Sequence, residues 1–307
     1  MKGLRNIRTD LALEARESFE EDDVEIKGVV LTKDYIEDKD MSITTVIIKD
    51  EQGSKAMQKP MGTYITIEAK KLQEKDDDYH RKISEEIGKV ILSLVGDAGD
   101  QGVMVVGLGN REVTPDALGP WVVDNLFVTR HLIKEYGEEF KKKNRLSCVS
   151  ALAPGVMAQT GMEAAEIIRG VMKEAKPGVV LAIDALAARS VDRLNTTIQI
   201  SDTGINPGSG VGNNRKALNE ESLGVKVVAL GVPTVVDAST IVRDSMENML
   251  VNQGFSEQEI NTFFSEVTEH QTVHNMFVTP KNIDEAMKSI SYTISEAINS
   301  CFHQVNV

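Results

Sequence analysis

Two aspartates are the residues best placed by type and context to do chemistry. Asp116 lies in Thr114-Pro115-Asp116-Ala117-Leu118-Gly119-Pro120, between a strand-like run and a helix-like one. Asp184 follows the apolar residues 179–183 and is itself followed by four apolar residues, 185–188. A carboxylate among apolar neighbours is poorly solvated, which raises its pKa, and a second carboxylate nearby raises one of the pair further. Such a pair can share a proton. One member then activates water while the other donates to a carbonyl oxygen or a leaving amine. The same two groups could equally hold a metal ion. Taken locally, Asp116 also suits a helix N-cap, and Asp184 a charge leaving the sheet for solvent.

Other chemistries fit less well. Val106-Gly107-Leu108-Gly109-Asn110 follows a strand-like run and invites a dinucleotide, but the third glycine of that fingerprint falls on Glu112. Residues 208–216 form a glycine-rich stretch without the Gly-Lys-Ser/Thr ending of a phosphate loop, and read as a flexible loop with several turns, with contact to substrate or a neighbouring subunit as the alternative. His270 and His274 have zinc-protease spacing, yet Gln271 stands where that motif needs Glu. Ser209 lacks the glycine spacing of a nucleophile elbow. Cys148, in an apolar run, packs as a small hydrophobe.

The elements that must position the aspartates follow from periodicity. Strands are expected at 24–31, 43–49 and 64–69, then at 103–106, 146–152, 179–183 (ending at Asp184), 196–200 and 225–230. Helices are expected near 83–94, 118–136, 161–176, 235–251 and 283–302. Alternating strands and helices predict an α/β fold, a mostly parallel sheet flanked by helices, with an added N-terminal β-containing subdomain. In such sheets function collects beyond the carboxyl ends of the strands, which points to 107–120, 184–192 and 231–237. The 307 residues carry a net charge of −13, which argues against a nucleic-acid surface. The sequence shows no secretory leader and no run long enough to cross a membrane. Two scattered cysteines suit a reducing, cytoplasmic setting.

These stretches resemble the germination protease, or spore protease, family. The likeness is carried by Ile7-Arg8-Thr9-Asp10-Leu11-Ala12-Leu13-Glu14, by residues 106–110 with 113–120, by Val128-Thr129-Arg130-His131-Leu132, by Ala153-Pro154-Gly155-Val156-Met157, and by residues 182–189, 195–212 and 231–238. The resemblance implies an endopeptidase of small acid-soluble spore proteins. It implies a tetrameric zymogen of the forespore and spore core that removes its own propeptide. Family substrates are cut after an acid and before a large apolar residue, with Ala and then Glu further on. Thr9-Asp10-Leu11-Ala12-Leu13-Glu14 has that form, so self-cleavage is expected between Asp10 and Leu11. The expected divisions are a propeptide, 1–10, an N-terminal β-rich region with a linking helix, 11–95, and an α/β catalytic core, 96–307.

The family is similar in fold to hydrogenase maturation proteases, where Gly-x-Gly-Asn is followed by an acid six residues on. Here that acid is Asp116, and Asp184 corresponds to their second acid. Their metal-binding His has no clear counterpart, and His274 and Asp237 are the candidates. The likeness therefore favours an aspartic-type mechanism with no cofactor, while a divalent metal stays open as the alternative. Asn110 and Gly109 are candidates for the oxyanion loop. Better-known members carry a longer segment before Val278-Thr279-Pro280-Lys281 than residues 254–269 provide here.

Overall fold

The computed structural model describes residues 9–17, 26–74, 76–208, 215–256, 258–260, 262–263 and 276–303. Among them one nine-stranded sheet organises the chain, in the order β1-β2-β3-β7-β8-β6-β4-β5, with β9 pairing to β8. The strands are β1 (Val29–Ile36), β2 (Met41–Ile48), β3 (Gly62–Ala69), β4 (Val103–Gly107), β5 (Val149–Leu152), β6 (Val179–Ala188), β7 (Thr197–Ser201), β8 (Lys226–Asp237) and β9 (Phe277–Val278). The block β5-β4-β6-β8 is parallel. The N-terminal strands do not form a separate sheet. They continue this one antiparallel, through β3 on β7 and β7 on β8.

Helices cover both faces of the parallel block, so its strands are apolar on both sides. On one face α3 (Asp77–Val95), α4 (Leu118–Asp124) and the C-terminal α10 (Ile283–Phe302) pack on Val103, Val105, Leu181 and Ile183. On the other, α7 (Ala164–Ala175) sets Ala165 and Ile168 against Met104, Val106, Val180 and Ala182. Each large aliphatic side chain buried in these layers contributes roughly 2 kcal/mol of transfer free energy. No described helix is long and apolar enough to cross a membrane.

Several element boundaries differ from the periodicity reading. Asp184 does not end its strand: β6 runs on through Ala188, because residues 185–188 stay paired to β8. Likewise β8 continues to Asp237, and the helix expected from 235 begins at Ala238 as α9 (Ala238–Asn252). Val235 and Val236 are β-branched and paired on β6, which holds them extended. The helix expected at 118–136 is broken at 125–129, giving α4 and α5 (Arg130–Lys143). A short α2 (Glu51–Met57), capped by Asp50 accepting from the Gly53 amide, falls where no helix was expected.

β6 and β8 slip register between Leu186 and Ala187, where Pro233 and Val235 are consecutive partners and Thr234 is the extra residue. A bulge of this kind turns the following side chains to the other face. Leu230 and Val232 pack with α3 and α10, whereas Val236 packs with Leu11, Leu186 and Ala188 on the opposite side.

Candidate active site

Strand parity aims Asp184. Val180 and Ala182 face the α7 layer, and side chains on a strand alternate, so Asp184 projects to that same side. It is 5% exposed. Burial raises its pKa well above the usual carboxylate range, and the charges of Asp116 and then Asp10 raise it further. A hydrogen bond from the Ala185 amide, 3.0 Å, opposes them.

Asp116 is delivered by the loop that joins β4 to α4. It does not cap α4, whose N-cap is Ala117 with no side-chain bond. Its carboxylate turns back and accepts from the Asn110 amide at 2.8 Å, and the same amide lies 3.0 Å from the Asp116 carbonyl. Burial raises the Asp116 pKa and the Asn110 amide opposes the rise. The glycines of this loop serve close packing. A Cβ on Gly107 would lie 2.2 Å from the Gly119 carbonyl oxygen. At Gly109, with φ +111°, a Cβ would lie 2.0 Å from the Asp116 carbonyl oxygen. From the other side, the bulged Thr234 donates its hydroxyl to the Pro115 carbonyl at 2.7 Å. Asp116 is thus gripped by a glycine loop, one amide and a sheet irregularity.

The two aspartates line one cleft of about 380 Å³, together with Asp10, Leu186, Arg215 and Lys216. Asp10 enters it on the N-terminal segment. Beyond the end of β4, the edge of β6 is open at residues 185–188, and residue 10 fills it. The Asp10 amide donates to the Ala187 carbonyl and the Ala187 amide donates to the Asp10 carboxylate, each at 2.9 Å. The residues that follow are deeply seated. Leu11 is fully buried among Leu186, Ala188, Leu194 and Val236, and Ala12 among Val46, Ile48, Met57 and Tyr64. Glu14, at 4% exposure, accepts from the Arg189 and Ser190 amides at 2.7 and 2.9 Å and pairs with Arg193 at 3.4 Å. Thr9 also donates its hydroxyl to Glu14.

The remaining candidates fall differently. The backbone amide of Asn110 is engaged by Asp116, and its Oδ1 accepts from the Glu112 amide at 3.1 Å. Asp237 caps α9, accepting from the Ser239 amide at 2.8 Å and from the Ser239 hydroxyl. His270, His274, Ser209 and most of the glycine-rich loop lie outside the described residues, as do residues 1–8 of the expected propeptide. Among the described residues no group of three or more His, Cys, Asp or Glu side chains is disposed to share a metal ion. Cys148 and Cys301 are free thiols, and burial pushes Cys301 up to about 12. Lys59, Gln199 and Thr234 escaped the sequence reading. Gln199 and Thr234 lie in stretches that carry the family likeness, but nothing local marks them or Lys59 as site residues, and each acquires its place only through the pairing of distant segments.

The chain matches known proteins over nearly its whole length. The sequence profile of the germination protease family, Peptidase_A25, matches residues 7–270. The chain is 48% identical to a germination protease of Caldanaerobacter subterraneus, over 95% of this chain and 93% of that one. It is 42% identical to one of Clostridium perfringens, over 96% and 94%. With one of Bacillus cytotoxicus the identity is 39% over 97% and 94%, in an alignment of 347 positions against 309 for the clostridial one, so the Bacillus chain holds residues that this one lacks. Among solved structures, the NiFe hydrogenase maturation protease HycI of Thermococcus kodakarensis matches with a TM-score of 0.33 at 15% identity, over 68% of this chain and 98% of that one. The family profile and the near full-length relatives make this chain a member of the germination protease family, endopeptidases of spore germination.

Proposed function

We propose that the chain is a self-processing, aspartic-type zymogen that cuts itself between Asp10 and Leu11 and, once mature, degrades small acid-soluble spore proteins in the germinating spore core. One observation carries the reading. A buried carboxyl, Asp184, lies within the fields of both Asp116 and Asp10 on one cleft, and Asp10 immediately precedes the bond expected to be cut. With one proton between them, two buried carboxyls on one cleft act as a unit. The ionised member takes a proton from water as it attacks. The protonated member supplies one to the departing amine.

The test is incubation of the full-length protein alone, and of the mature form with a small acid-soluble spore protein, each with and without chelator. Asp116→Asn and Asp184→Asn should each retain the fold and lose both cleavages. Cleavage by both variants would refute the assignment. Activity abolished by chelator and restored by a divalent ion would replace the aspartic mechanism with a metal one. The tetramer implied by the family resemblance is tested by sedimentation of the full-length chain.

A further inference from the structure

We infer that Lys59 and Gln199 are the donors that polarise the carbonyl of the bond to be cut, a role that rests on the Asp10–Leu11 reading above. The Lys59 ammonium donates to the Asp10 carbonyl oxygen at 2.9 Å, and the Gln199 side-chain amide donates to the same oxygen at 3.2 Å. The two donors reach it from different elements: Lys59 from the turn between α2 and β3, Gln199 from β7. Gln199 is itself fixed, because its Oε1 accepts from the Ala12 amide at 2.6 Å. The bond is therefore held on both sides by one side chain. Its own N–H, on Leu11, donates to the Thr9 hydroxyl at 3.0 Å.

The placement of Lys59 is unusual for a lysine with only a structural role. The residue is half-buried, and its ammonium reaches the Asp10 carbonyl oxygen. Desolvation lowers its pKa, and the charges of Asp10 and Glu14 offset part of that. A desolvated cation on a carbonyl oxygen is costly in the ground state and becomes favourable as negative charge develops there.

The reaction they assist is balanced. The oxygen of water bonds to the Asp10 carbonyl carbon while one water proton goes to the ionised carboxylate of the pair. The carbonyl π electrons move onto oxygen, which Lys59 and Gln199 hold as the anion. The carbonyl re-forms, the C–N bond breaks, and the Leu11 nitrogen takes the proton of the protonated carboxyl. The products are a C-terminal Asp10 and an N-terminal Leu11. Lys59 and Gln199 donate hydrogen bonds throughout and transfer no proton.

The experiment follows self-cleavage of the full-length chain by mass spectrometry, with thermal melting and hydrogen exchange at the Ala12 amide as controls. Lys59→Met should slow cleavage by about 100-fold, the cost of removing one such donor, at unchanged or raised melting temperature and with Ala12 still protected. A structural role instead predicts loss of rate in step with loss of stability and of Ala12 protection. Gln199→Glu keeps the acceptor for Ala12 and removes the donor, so it decides the matter if Lys59→Met does not fold. It should slow cleavage at least tenfold. Wild-type rates in Gln199→Glu and any folded Lys59 variant overturn this inference while leaving the aspartate assignment intact. A wild-type protein that does not cut between Asp10 and Leu11 overturns the underlying reading as well.

Discussion

Replacing Gly109 with Ala tests the grip on Asp116 without touching either carboxylate. The added Cβ would lie 2.0 Å from the Asp116 carbonyl oxygen and 3.0 Å from its Oδ1, where ordinary contact begins near 3.4 Å. Asp116 must therefore retreat by on the order of 1 Å, a displacement that costs about 100-fold in rate when the displaced group does chemistry. The positive φ adds roughly 1–2 kcal/mol of backbone strain. Disturbing the Asn110 hydrogen bonds adds about 1 kcal/mol. Gly96→Ala supplies the control, since that glycine has φ +56° and nothing within 4 Å of a built Cβ. It carries the backbone penalty alone. Self-cleavage rates by mass spectrometry, beside calorimetric melting, separate the two effects. Gly109→Ala should be folded, several degrees less stable and about 100-fold slower, whereas Gly96→Ala should lose stability and keep its rate. A Gly109→Ala protein that cleaves within tenfold of wild type refutes the claim that this glycine places a catalytic group.

Asp184→Asn should raise stability at neutral pH. The folded pKa is raised above the unfolded value, so the fold binds the extra proton. Stability then falls as pH rises from the unfolded pKa, near 3.9, towards the folded one. The melting temperatures of variant and wild type should diverge across that window and not below it, and equal slopes from pH 3 to 8 would contradict the burial argument. Thr234→Val removes the hydroxyl bond to Pro115 and should cost about 1 kcal/mol of stability with a tenfold slower self-cleavage. Unchanged kinetics would show that the bulge does not position Asp116. Arg193→Ala leaves the buried Glu14 without its cation, and removing one member of a buried pair costs roughly 3 kcal/mol. Limited proteolysis should then cut residues 9–17 faster than in the wild type, and equal protection would count against the role given to Arg193.

The legible parts of this protein were those encoded locally. Continuous apolar runs located β4, β6 and β8, and apolar neighbours drew attention to Asp184, while the family likeness selected Asp116 and Asp184 from the many other acids. The likeness to a family then set Asp10 and Leu11 beside them. Strand ends were less legible, since Ala185 to Ala188 and Val235 to Val236 stay extended only because each run pairs with the other. Lys59 and Gln199 could not be recognised, because their neighbours in space are remote in sequence. Lys59 meets residue 10 through the α2–β3 turn, and Gln199 through β7. The bulge at Thr234 is likewise a property of two registered strands rather than of either one.

The seat of Leu11 is assembled from Leu186, Leu194 and Val236, and β3 has no inner neighbour until β7 exists. A ribosome delivers the N-terminus first, so residues 10 and 11 emerge long before the surface that receives them. The bond between them cannot be presented in its bound geometry until the chain has been synthesised past residue 236. Translation therefore imposes an order of events: the receiving strands come last, and the seat of Leu11 closes only after most of the molecule has been made.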